Sequence, residues 1–127
     1  MKYIPLIARI CLSIIFLNSA ISKITDFSGT EQMMADKGLP LAGLLLIGSI
    51  IFQLMGGISL VLGYKVRWGA IILILFLIPT TLVFHNFWAN PDELTAFLKN
   101  LGLIGGLLMV YYAGAGAVSL DERTSEL

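Results

Sequence analysis

Charge is what this sequence lacks. Only 13% of its 127 residues are Asp, Glu, Lys or Arg, against roughly 25% in an ordinary soluble domain. Eight basic residues balance eight acidic ones, so no basic surface is on offer to a nucleic acid. A single cysteine, Cys11, excludes a disulfide scaffold and an intrachain thiol–disulfide cycle. A single histidine, His85, cannot supply two haem ligands from one chain. No Cys/His or carboxylate cluster has metal-ligand spacing, and there is no GxGxxG, P-loop or serine nucleophile elbow. The residues therefore offer no metal site and no autonomous redox group.

What the sequence has instead is apolar length. Apolar residues make up 57% of the chain, and thirteen glycines come on top of that. Residues 38–64, 68–91 and 100–120 contain no Asp, Glu, Lys or Arg, and residues 3–22 contain only Arg9. Each run is as long as the roughly 20 residues a membrane-spanning helix needs. The expectation is an all-α, polytopic membrane protein: one four-helix up-down bundle covering residues 1–127. The spans are placed at 3–23, 40–64, 68–88 and 92–117, with a polar, loose tail at 121–127. Lys2, an apolar stretch and Asn18-Ser19-Ala20 also resemble a cleaved signal peptide. Arg9 inside the apolar stretch argues against cleavage, so the first run is read as a span.

The breaks carry local signals. A short interfacial helix is expected between the first two spans, capped by Ser28, with Met33 and Met34 at the interface. Gly38 would end it and Pro40 would open the next span. Residues 64–67 leave room only for a tight turn between antiparallel neighbours. Asn90-Pro91-Asp92-Glu93 combines a capping Asn, a first-turn Pro and carboxylates at the positive end of a helix dipole. The side holding both termini carries Lys2, Arg9, Lys65, Arg67 and Arg123, and the other carries Lys23, Lys37 and Lys99. That bias reads both termini as cytoplasmic.

Polar residues within the spans recur at helical spacing and usually face a bundle interior. The faces are Arg9, Ser13, Phe16, Ala20 and Lys23 in the first span, and Ser49, Gln53, Gly56 and Gly63 in the second. In the third they are Thr81, His85 and Trp88, and in the fourth Asn100, Ile104, Leu107, Tyr111 and Gly114. At about 1.5 Å per residue, Lys23, His85, Trp88 and Asn100 gather toward the outer face as a polar pocket. Arg9 and Gln53 should meet deeper. Each has a plainer reading. Arg9 can snorkel, Gln53 can glue helices, Lys23 can anchor, Trp88 can sit in the aromatic belt and Asn100 can satisfy a helix end. Gly102 and Gly106 form a small-xxx-small pair for close helix packing. Pro79 removes a backbone bond to Leu75 that Thr80 or Thr81 can repair.

The ordered set of residues resembles the DoxX family of small bacterial four-helix membrane proteins, over nearly the whole chain. It runs from Arg9, Phe16 and Lys23 through Asp26-Phe27-Ser28-Gly29-Thr30 and Lys37-Gly38-Leu39-Pro40. Gln53, Gly56-Gly57, Leu62-Gly63 and His85-Asn86-Phe87-Trp88 follow. Lys99-Asn100-Leu101, Gly114-Ala115-Gly116 and Ser119-Leu120-Asp121 close it. The family is named after a subunit of a thiosulfate:quinone oxidoreductase, and its members are often labelled oxidoreductases. The resemblance implies the bacterial inner membrane, a quinone as cofactor, and a partner redox subunit or a homo-oligomer. Position 53 is frequently glutamate in that family. Gln53 exchanges hydrogen bonds but carries no proton, so a proton relay does not transfer to it. The ligand-binding candidates are Arg9, Lys23, Gln53, His85, Trp88 and Asn100, and no catalytic residue is assigned. The competing expectation is a non-enzymatic scaffold or assembly factor binding lipid or a partner protein. A small exporter or channel is a third.

Overall fold

The computed structural model describes residues 1–125. It contains α1 (Ile4–Thr25), α2 (Phe27–Asp36), α3 (Ala42–Leu62), α4 (Val66–Phe84), α5 (Leu94–Ala113) and α6 (Leu120–Ser125). One 3-10 turn, Pro91–Glu93, leads into α5, and no strand occurs among the described residues. Among the described residues, four helices are long and apolar enough to cross a membrane: α1, α3, α4 and α5 with its leading turn. The fold is the all-α, polytopic membrane architecture expected.

Each boundary has a local cause. Pro5 starts α1, where its missing N–H costs nothing. Asp26 alone separates α1 from α2, and α2 begins at Phe27, so Ser28 lies inside the helix and does not cap it. Met34 faces inward while Met33 stays exposed. Gly38 takes a φ of +83°, but α3 starts at Ala42, two residues after Pro40, because Leu41 sits at a φ of +52°. Gly63, at a φ of +66°, ends α3 and bends the chain into α4 within three residues. A side chain there would also strike Arg9 and Ser119, so backbone conformation and space both call for glycine. Asn90 accepts from the Asp92 N–H at 3.3 Å, which is the capping role expected of it.

The third span is shorter than the apolar run suggested. Helix α4 stops at Phe84, not at residue 88. Beyond it, the Asn86 carbonyl accepts from the N–H groups of Ala89 (3.1 Å) and Asn90 (3.0 Å), which turns the chain toward α5. Phe87 and Trp88 then fold edge-on against Phe97, one turn into α5. Hydrophobic length cannot reveal such a stop, because these aromatics are as apolar as a spanning segment. Thr81 does not serve Pro79; its hydroxyl accepts from Asn100 Nδ2 at 3.1 Å.

The bundle has its polar stripe inside. On α1, Arg9, Ser13, Phe16 and Ala20 are buried, while Ile7, Ile14 and Ile21 on the opposite face are 57–59% exposed to the lipid side. Lipid is as apolar as leucine, so hydrophobic burial does not hold such helices together; close packing and polar bonds do. A Cβ at Gly56 would collide with Leu73, and one at Gly57 would come within 2.7 Å of Leu17. Those two glycines let α3 approach α4 and α1 closely. Gly106 meets Leu12 of α1, whereas Gly102 meets nothing, so the expected glycine pair does not act as one contact. Helix α5 packs mainly on α4 and touches α1 only lightly.

Arg9 organises the end that holds both termini. It is 1% exposed and does not snorkel. Its guanidinium donates to Leu60 O at 2.8 Å and to Val118 O at 2.5 Å. The first is one of the carbonyls the end of α3 leaves unpaired. Asp121 N–H donates to Gly63 O at 2.8 Å, and the Asp121 carboxylate accepts from Lys65 N–H and Val66 N–H at the start of α4. The segment expected to be a loose tail is therefore folded over the helix ends as far as it is described; residues 126–127 lie outside the described residues.

Candidate functional site

The end of the bundle away from the termini holds a cavity of about 510 Å3. All four spans and α2 contribute to its walls, and the 3-10 turn closes the rim. The Lys23 ammonium donates to Gln53 Oε1 at 2.8 Å and lies 4.7 Å from the centre of the Phe76 ring. A lysine ammonium has three N–H donors, so Lys23 keeps donor capacity beyond Gln53. At the rim, His85 Nδ1 lies 2.7 Å from Glu93 Oε2. A carboxylate at Nδ1 keeps the proton there and leaves Nε2 as the ring's acceptor when His85 is neutral. Asn100 is buried and tied to Thr81, which fixes α5 against α4 beside the cavity.

Four of the six sequence candidates meet in this cavity: Lys23, Gln53, His85 and Asn100. The other two do not. Trp88 is 60% exposed and lies outside, because α4 ends four residues earlier and the chain swings it away. Arg9 lies at the opposite end, bonded to Leu60 and Val118, and the expected Arg9–Gln53 contact does not form. The reason is register. Leu17 packs beside Gly57, and since α1 and α3 run antiparallel, Arg9 falls level with the end of α3. Gln53 lies within reach of Lys23, whose long stem leans back along the bundle.

The sequence reading missed Glu93, Lys37, Lys99 and Phe76, all of which line the cavity. Glu93 was visible only as a dipole partner at a helix start. Its role as the neighbour of His85 depends on the turn at Asn86 bringing residues eight apart together. With three lysines against one carboxylate, the lining favours a ligand with electron-rich or anionic polar atoms. Aromatic and thioether groups, Phe76, Phe84 and Met34, offer surfaces for a flat ring. No group of three His, Cys, Asp or Glu that could hold a metal ion occurs among the described residues.

Comparison with known proteins agrees with this architecture. The chain is 34% identical over 117 residues to inner membrane protein YqjF of Escherichia coli K12, covering 92% of this chain and 88% of that one. It is 33% identical over 123 residues to inner membrane protein YphA of the same organism, covering 93% and 88%. A shorter likeness, 35% over 80 residues, links 59% of the chain to 26% of the ER-derived vesicles protein ERV29 of Saccharomyces cerevisiae. No solved structure matches the chain. The DoxX family profile matches residues 4–86, from the start of α1 past the end of α4. With Lys23, Gln53 and His85 inside that match and two relatives aligned over most of their length, this multi-pass membrane protein belongs to the DoxX family.

Proposed function

We propose that this protein binds a quinone head group in the cavity and serves as an accessory subunit of a redox system in the bacterial inner membrane. One observation carries the reading: the Lys23 ammonium, held by Gln53 and backed by Phe76, lines a cavity whose walls combine polar side chains with aromatic and aliphatic ones. A few placed polar groups in an apolar, concave site are what orient a small ligand. Lys23 suits a carbonyl oxygen and favours negative charge developing on it. His85 Nε2, left as an acceptor by the carboxylate at Nδ1, suits the hydroxyl of the reduced ring. A quinone bound there supplies electron-carrier chemistry, and a partner subunit supplies or accepts the electrons.

Native mass spectrometry of the purified protein, with organic extraction of anything bound, tests this reading. Stoichiometric quinone is the expected result. Phospholipid or a copurifying protein, with no quinone, would overturn it in favour of a scaffold. That second reading has one observation behind it. Gly102 and Gly105 lie on an exposed face of α5, where an added Cβ meets nothing within 4 Å, so a partner helix can approach closely. Under it, Gly102→Leu releases the copurifying protein.

Both termini are read as cytoplasmic, which directs the cavity rim toward the periplasm. The motive is the surplus of basic residues on the terminal side, with Lys65 in a very short turn and Arg67 in the first turn of α4. Alkaline phosphatase fused after Leu127 is then expected to be inactive, and phosphatase inserted after Ala89 active. The reverse pattern would invert the topology.

A further inference from the structure

We infer that the ligand of this site carries a long apolar tail, and that the tail leaves the protein between α3 and α4. This rests on the quinone reading and adds a second subsite to it. A cavity of about 320 Å3 lies beside the first. Met34, Ser49, Phe76, Thr80 and Phe84 line both, so a single layer of side chains divides them. The chemistry changes across that layer. The first cavity holds Lys23, Gln53 and His85, whereas the second has only Ser49 and Thr80 as polar side chains on its walls. The Ser49 hydroxyl is already spent on Leu45 O at 3.0 Å.

The second cavity also opens outward. Leu44, Leu45, Phe52 and Leu75 on its walls are exposed on the lipid side. Gly48 leaves open space on α3, with nothing within 4 Å of an added Cβ, and Pro79 stands across from it on α4. A polar chamber therefore adjoins an apolar groove that reaches the bilayer, which is the shape of a molecule with a polar ring and a hydrocarbon chain. Met34, flexible and unbranched, lies in the dividing layer and can move aside for a chain.

The groove acts by geometry. A hydrocarbon tail gains little on moving from lipid to an apolar groove, since the two are alike as solvents. The groove lets the tail remain in an apolar setting while the head reaches Lys23. Filling it should exclude tailed ligands and spare short ones. The test uses protein in lipid nanodiscs and two quinones with the same head group, one with a short alkyl chain and one with a long isoprenoid chain. Val83 of α4 also lines the groove, so Gly48→Phe from α3 and Val83→Phe from α4 are compared with Lys23→Met. Both groove variants are expected to weaken the long-chain quinone by about tenfold or more and to leave the short-chain one within about twofold, a factor of ten being a readily resolved difference. Lys23→Met should weaken both. If the groove variants change neither quinone while Lys23→Met weakens both, the tail path is wrong and the head site stands. If they weaken both quinones alike, the groove belongs to the head site and the inference also fails. If neither quinone binds the unaltered protein, the quinone reading itself falls.

Discussion

Replacing Lys23 with methionine is expected to lower quinone affinity by about tenfold to a hundredfold, the range that follows from losing a charged hydrogen bond of about 1.5–3 kcal/mol. Methionine keeps much of the apolar stem that packs by Phe76, so the loss reports the ammonium and not the packing. The comparison variant is Gln53→Glu, which installs the residue frequent at this position in the family. Glutamate can accept from the same ammonium that Gln53 holds at 2.8 Å, but its charge offsets that of Lys23 and leaves less positive charge in the cavity. Affinity should fall in the same direction as for Lys23→Met, by less. Titration of a quinone into each purified variant checks the order. Equal affinity across wild type, Lys23→Met and Gln53→Glu would remove Lys23 from the site.

Replacing Arg9 with leucine is expected to cost about 2–4 kcal/mol of stability, because it leaves one buried and one part-buried carbonyl unpaired, at roughly 1–3 kcal/mol for a fully buried one. Those carbonyls are Leu60 O and Val118 O, from segments far apart in sequence that the guanidinium joins. Arg9→Lys should rescue only part, since the guanidinium reaches the two carbonyls from two separate nitrogens and a compact ammonium donates from one point. The consequences should be local first. With the 118–121 segment released, the Asp121 contacts to Lys65 and Val66 weaken, and the start of α4 frays. Thermal unfolding in detergent, with hydrogen exchange at residues 63–67, measures both effects. Arg9→Leu melting like wild type while losing ligand binding would return Arg9 to the functional site.

These two residues show how far the sequence could be read. Arg9 stands out as the charge within an apolar run and Lys23 as the charge that ends it, and spacing from Ser13, Phe16 and Ala20 puts both on the inward face of α1. The structure buries that stripe as expected. The expected partners were wrong in one case: Arg9 was paired with Gln53, and the structure gives Gln53 to Lys23. Depth estimated along separate helices ignored the offset between them and the reach of a lysine stem. Trp88 failed for another reason. Its spacing from Thr81 and His85 fits a helix, but the chain is no longer helical there.

The sequence by itself determined that four helices are long and apolar enough to span, the inward stripe of α1, the cap at Asn90 and the family resemblance. All of these depend on short stretches whose composition and period are independent of what they pack against. Trp88 and Tyr111, expected to face inward, are exposed. The tertiary structure alone decided which polar groups meet. The Lys23–Gln53 bond, the His85–Glu93 pair, the Arg9 bridge to Val118 and the paired cavities each join separate elements or a turn. Helical periodicity fixes the direction in which a side chain points. The residue that stands opposite is fixed by the register between helices, and that depends on glycine contacts such as Leu17 on Gly57 and on the turns that join the spans.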